Sequence, residues 1–250
     1  LEQVGIYTLA YNISTLPLIL AQIISVSSYP TIIKRVKDFN PIEFSQFYRK
    51  INNIMAVLLV PLSMTIIFFN THLTFAWVGV ESISVNVQLP AILLVIGQTL
   101  QGMTMLAFYF ALSREITKPQ NIIAITTIII LFPCLIFLTE RYGLLGAASA
   151  MLMTIALSFP FGVYYLNKNI WSLNLYSSSF LPYIKCIFLI GPLFYLIDVY
   201  VFSPYESKTV NLFLIISLYL SGLLISSFLF RDLFKDLIKL IKNKYKHISS

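Results

Sequence analysis

Charge is what this sequence has least of. Asp, Glu, Lys and Arg together make up 11% of its 250 residues, whereas a globular domain carries about 25% to cover its surface. A chain so poor in charge cannot wet its exterior with water, so its solvent is largely lipid. Cysteine is scarce too. Cys134 and Cys186 sit in separate apolar stretches without a C-x-x-C pattern, which excludes a disulfide scaffold and a dithiol redox motif. His72 and His247 have no metal-ligand spacing, so neither a metal nor another cofactor is expected. No glycine-rich loop follows a strand, so no built-in ATPase is expected. Disorder is excluded by what is abundant: 58% of residues are hydrophobic and mean hydropathy is +0.84, the reverse of a disordered composition.

Those apolar residues are gathered into runs. A bilayer core about 30 Å thick needs roughly 20 apolar residues per spanning helix. Seven runs meet or approach that length, so the sequence predicts an all-α polytopic membrane protein with seven transmembrane helices. Five fall within 1–168, at about 6–29, 51–71, 89–112, 119–139 and 143–166. Two more fall within 169–230, at about 180–202 and 209–230, and a basic tail occupies 231–250. The connections are too short to hold a folded soluble domain.

The net charge of +7 would point to nucleic acid if it formed a patch, but its placement gives another reading. Lys34, Arg35, Lys37, Arg49 and Lys50 fall in one connection, Arg114 and Lys118 in the next but one, then Lys168, then Arg231 to Lys246 in the tail. With Lys185, that side collects all but Arg141 and Lys208 of the 17 basic residues. Basic loops stay in the cytoplasm, so the tail is expected there and no nucleic acid is expected as a partner. Seven spans then place the N-terminus outside. Leu1 is not a Met, and Leu1 to Gln3 is no basic signal-peptide leader. The chain is therefore expected to start partway through a larger protein; a mature chain left by signal cleavage is the competing explanation.

Polar residues inside the spans are candidate walls of a transport path. On the first span Tyr11, Ser14, Thr15, Gln22 and Ser25 fall within about 60° of one direction at 100° per residue. Gln98, Gln101 and Tyr109 make a similar stripe on the third. Lipid offers no hydrogen-bond partner, so such stripes face protein or water. Helix–helix glue and an aqueous path are both open readings. Lys185 and Asp198 are the only ionisable residues well inside a span. A charge at the bilayer centre costs at least about 2.5 kcal/mol, so both join the candidates. They lie 13 residues apart, roughly 20 Å along a helix, too far to pair with each other. Pro17, Pro61, Pro133, Pro160 and Pro192 are expected to kink their helices. Gly143, Gly146, Ala147, Ala148 and Ala150 are expected to permit close helix approach. In the tail, Leu233, Phe234, Leu237, Ile238 and Ile241 share a face opposite several lysines, as in an interfacial helix held by anionic phospholipid. The outer loops hold only Glu81, Glu140, Arg141, Glu206 and Lys208, too few groups for a catalytic loop, so no enzyme is expected.

Several segments have a familiar order. Val4 to Tyr11 (VGIYTLAY), a span with Pro17, Tyr29-Pro30 before a basic loop, Ala76-Trp77-Val78-Gly79, Lys118-Pro119-Gln120-Asn121 and Tyr142 to Ala148 (YGLLGAA) cover most of 4–166. Together they resemble the polysaccharide flippases, the O-antigen (Wzx-type) transporters of the multidrug/oligosaccharidyl-lipid/polysaccharide exporter superfamily. The resemblance implies the second lobe of a fourteen-helix transporter in the bacterial inner membrane. It implies a lipid-linked oligosaccharide substrate on undecaprenyl diphosphate, flipped outward by alternating access, with polysaccharide polymerase machinery as a partner. Relatives that use intramembrane Arg or Lys to meet the diphosphate have no counterpart in the first five spans here. A multidrug cation antiporter of the same superfamily and a membrane polysaccharide polymerase or ligase are the alternatives.

Overall fold

The computed structural model describes residues 2–37, 41–170, 176–200 and 208–230. Every element among them is a helix: α1 (Glu2–Ser14), α2 (Leu16–Lys37), α3 (Pro41–Val78), α4 (Glu81–Ser113), α5 (Lys118–Ile170), α6 (Tyr176–Tyr200) and α7 (Lys208–Leu229). Among the described residues, six helical stretches are long and apolar enough to cross a membrane, with α1 and α2 forming one of them. These are the marks of a multi-pass membrane protein. The basic tail, with its expected amphipathic helix and lipid contact, lies outside the described residues.

The helices overrun the expected spans because apolar length sets the membrane crossing but not the helix ends. α3 holds 38 residues, so at 1.5 Å per residue it is about 57 Å long, nearly twice the hydrocarbon thickness. Its polar first turns, Glu43 to Asn53, continue the helix beyond the apolar run.

The expected fourth and fifth spans are joined in α5, whose backbone leaves helical geometry at Gly143 (φ 55°, ψ −128°). That conformation is essentially reserved for glycine. The chain then doubles back: a Cβ on Gly146 would overlap the Leu138 carbonyl. In a straight helix those residues would lie about 12 Å apart. Gly143 makes this tight reversal within α5, and the close approach expected of the small residues follows it: Gly146 lies against the Leu138 backbone, and Ala148 is fully buried against Ala91 and Leu94 of α4.

Of the prolines expected to kink their helices, Pro17 stands beside a break, while at Pro61, Pro133 and Pro160 the backbone dihedrals stay helical. α1 and α2 part at Thr15, two residues before Pro17, which places that proline in the first turn of α2, where its missing N–H costs nothing. α3 departs from helical dihedrals at Phe69, not at Pro61, and α5 does so at Gly143, not at Pro133 or Pro160. At Pro61 the reason is visible. The missing N–H frees the carbonyl of Val57, and Ser226 Oγ of α7 comes within 3.2 Å of that oxygen.

α3 and α4 pack together at the centre. α1, α2 and α5 lie against α4, and α6 and α7 lie against α3. The core follows this arrangement, with Met55, Leu59, Phe69, Leu106, Phe110, Tyr183 and Phe194 fully or almost fully buried. The leading leg of α5 instead exposes Ile122, Ile125, Ile129, Phe132 and Ile136, a stripe suited to lipid.

Candidate functional site

Of the sequence-selected polar residues, three converge. Gln22 of α2 and Gln101 and Tyr109 of α4 line one cavity of about 650 Å³, which α5 completes with Gln120, Thr127 and Ser158. Both legs of α5 contribute, since Ile123 and Thr127 precede the reversal and Ile155 and Ser158 follow it. The fold at Gly143 therefore builds one wall of this space.

The walls carry two kinds of group. Thr104, Thr127 and Ser158 donate their hydroxyl protons to carbonyls of their own helix at 2.7–3.1 Å, which leaves oxygen lone pairs as acceptors. Gln120 donates to the Phe108 carbonyl at 3.1 Å, tying α5 to α4. The amides of Gln22 and Gln101 have no protein hydrogen bond among the described residues, so each offers both a donor and an acceptor. The second kind is aromatic. Tyr109 lies edge-on to Tyr29 at 5.5 Å and beside Phe108 at 5.5 Å, while Phe159 meets Phe180 at 5.3 Å. No described lining residue is charged.

The other candidates lie elsewhere. Tyr11 is exposed and stacks on Tyr7. Thr15 marks the α1–α2 break and donates to the Asn12 carbonyl at 2.8 Å. Ser14 and Ser25 are fully buried, so the stripe expected on the first span is divided between core and surface. The break at Thr15 and packing on α4 divide it. Gln98 is buried, and its Oε1 has no hydrogen-bond partner among the described residues. Lys185 is exposed on α6. Asp198, also on α6, is coupled electrostatically to His72 of α3.

Sequence reading set His72 aside because it has no ligand-like neighbours in the chain. Its partner comes from a helix more than 100 residues later, and spacing carries no signal of that. Asn52 was missed in the same way: it accepts a hydrogen bond from the Tyr183 hydroxyl at 3.1 Å in the buried α3–α6 contact. Among the described residues no cluster of three or more His, Cys, Asp or Glu could hold a metal ion. No protein-family model matches the chain, and a search of curated proteins finds no match.

Proposed function

We propose that this chain belongs to a transporter that flips undecaprenyl-diphosphate-linked oligosaccharide from the cytoplasmic to the outer leaflet of the bacterial cytoplasmic membrane. Counting the two legs of α5 separately makes seven spans, the second lobe of a fourteen-helix machine working by alternating access, with the basic tail in the cytoplasm. The observation that carries this reading is the neutral cavity around Gln22, Gln101 and Tyr109. A sugar presents hydroxyls that both donate and accept, together with apolar C–H faces. Unpartnered amides answer the hydroxyls and aromatic rings answer the faces. Its volume lies within the roughly 300–1,000 Å³ range of ligand sites. No described lining residue is a carboxylate that could hold a drug cation.

In this reading the cavity receives the glycan part of the substrate. Gln22 and Gln101 exchange hydrogen bonds with sugar hydroxyls as water is stripped away, and Tyr109, Phe108 and Phe159 provide stacking surfaces. The test is to delete the full-length gene and assay lipid-linked sugars by leaflet. Complete single repeat units trapped on the cytoplasmic face support the flippase. Repeat units that reach the outer face unpolymerised point to a polymerase, and normal glycan with drug sensitivity points to an antiporter.

A further inference from the structure

A different chemistry is concentrated where α2 ends and α3 begins. There an open cleft of about 450 Å³ shares no residue with the neutral cavity. Arg35 enters it from α2, and Arg49 and Lys50 from α3; Glu43 offsets one of the three positive charges and leaves a formal +2. Gln46 and Asn53 add two neutral amides. The α3 members are brought together by helical spacing, since positions 43, 46, 50 and 53 recur at i, i+3, i+7 and i+10 on one face.

Basic residues at the ends of spans serve topology, and that alone accounts for their presence. It does not account for their arrangement. The Arg35 guanidinium lies 4.4 Å from the centroid of the Phe47 ring, which lines the same cleft. A guanidinium held over a ring is fixed in place while its five N–H donors stay free to meet an anion. Two Arg forks, an ammonium and two amides then converge on one volume. So many donors match a ligand with several anionic oxygens, and a phosphate provides more of these than a carboxylate does. The cleft lies at the shared end of two membrane-crossing stretches, Gln3–Val36 and Glu43–Val78, the level at which lipid headgroups sit.

We propose that this cleft binds a phosphate-ester anion at the membrane surface. The phosphate belongs either to the headgroup of an amphiphile in the leaflet or to a soluble phosphate compound. The proposal does not depend on what the neutral cavity carries.

The test uses the full-length protein in detergent micelles and counts retained molecules by native mass spectrometry. Phosphatidylglycerol is the lipid probe, phosphatidylcholine the zwitterionic control and inorganic pyrophosphate the soluble probe. The wild type is expected to retain an anionic probe that R35Q/R49Q retains about tenfold less, the size of one or two lost charge-assisted hydrogen bonds. Lys208→Gln, at the far end of α3's partner helices, leaves retention unchanged. Q46E changes one exposed side chain without disturbing the fold, and it should cut retention several-fold by placing a second carboxylate in the cleft. Pyrophosphate that binds and displaces phosphatidylglycerol identifies a site that reads phosphate from either source. Phosphatidylglycerol that pyrophosphate cannot displace identifies a headgroup site. Equal retention of every probe by the wild type, R35Q/R49Q and Q46E overturns the proposal, as does equal retention of phosphatidylcholine and phosphatidylglycerol without pyrophosphate binding.

Discussion

The two sides of the central α3–α4 pair use polar side chains in opposite ways. On the α6–α7 side several meet protein partners: the buried Tyr183 hydroxyl donates to Asn52, buried Ser226 lies beside the Val57 carbonyl, and the half-buried Asp198 interacts electrostatically with His72. On the α2–α5 side, Gln22 and Gln101 are exposed to a cavity and bond to no protein group among the described residues. What separates glue from a cavity wall is whether a partner stands within about 3 Å, and packing decides that, not residue type. The α6–α7 side closes its polar groups into contacts, and the α2–α5 side leaves them facing an open cavity.

The comparison breaks most completely if the α5 reversal is lost, because both legs of α5 wall the cavity. Gly146→Ala drives a methyl group into the Leu138 carbonyl, where no flexible side chain can yield. We expect about 3 kcal/mol of destabilisation, measured by reversible denaturant unfolding in micelles. The α3–α6–α7 contacts should persist, as read by crosslinking between cysteines placed at Asn52 and Tyr183. A stability loss below about 0.5 kcal/mol, within the range of neutral surface changes, would mean that the reversal tolerates a side chain.

Next in size is the double variant Gln22→Leu with Gln101→Leu. Two hydrogen bonds to substrate hydroxyls are worth about 1–3 kcal/mol together, so leaflet-resolved transport should fall roughly tenfold. Thermal stability should hardly move, because neither amide bonds to protein. Unchanged transport would return both residues to a packing role.

Much of this comparison was legible beforehand in one dimension only. The apolar runs marked where helices cross, because lipid penalises exposed backbone and polar groups whatever the fold. The pairing of Gln22 with Gln101 and Tyr109 was visible only as two separate stripes, and α4 packing against α2 brought them together. Gln98 shares the stripe of Gln101 yet is buried, since neighbouring positions on one helix meet different partners. Pro61 follows the same logic. The dihedrals at Pro61 stay helical where α7 supplies Ser226 beside the freed carbonyl, and a single helix read alone contains no hint of α7. The connection expected between the fourth and fifth spans, at 140–142, lies beside the reversal, which falls at Gly143 with helix on both sides of it.

Ser226 gives a smaller effect on the glued side. Its hydroxyl also lies 2.9 Å from the Gly222 carbonyl, so its one proton is divided between its own helix and Val57. Ser226→Ala leaves the Val57 oxygen buried with less satisfaction, costing about 1 kcal/mol. Gly222 is 3.1 Å from Pro61 and Phe194 at the position of an added Cβ, so Gly222→Ala should cost a similar amount by crowding the same contact. Both changes should lower the melting temperature and leave the substrate-level defect of the glutamine variants absent. A transport defect equal to that of Gln22→Leu with Gln101→Leu, at unchanged stability, would erase the distinction between the two sides.

The smallest and sharpest test compares two tyrosines that lose the same atom. Tyr183→Phe removes the hydroxyl that donates to Asn52 inside the core. Interhelical hydrogen bonds in membranes average about 0.6 kcal/mol in double-mutant cycles, so the coupling between Tyr183→Phe and Asn52→Leu should be of that order. Tyr109→Phe removes a hydroxyl from the half-exposed cavity wall, where its ring contacts with Tyr29 and Phe108 remain. Stability should therefore stay within about 0.3 kcal/mol, the level at which uncoupled sites add, while transport declines a few-fold. The discriminating readout is the ratio of the two effects in each variant. A stability loss at Tyr109 equal to that at Tyr183 would make the cavity wall another stretch of core and remove the physical basis for assigning it a substrate.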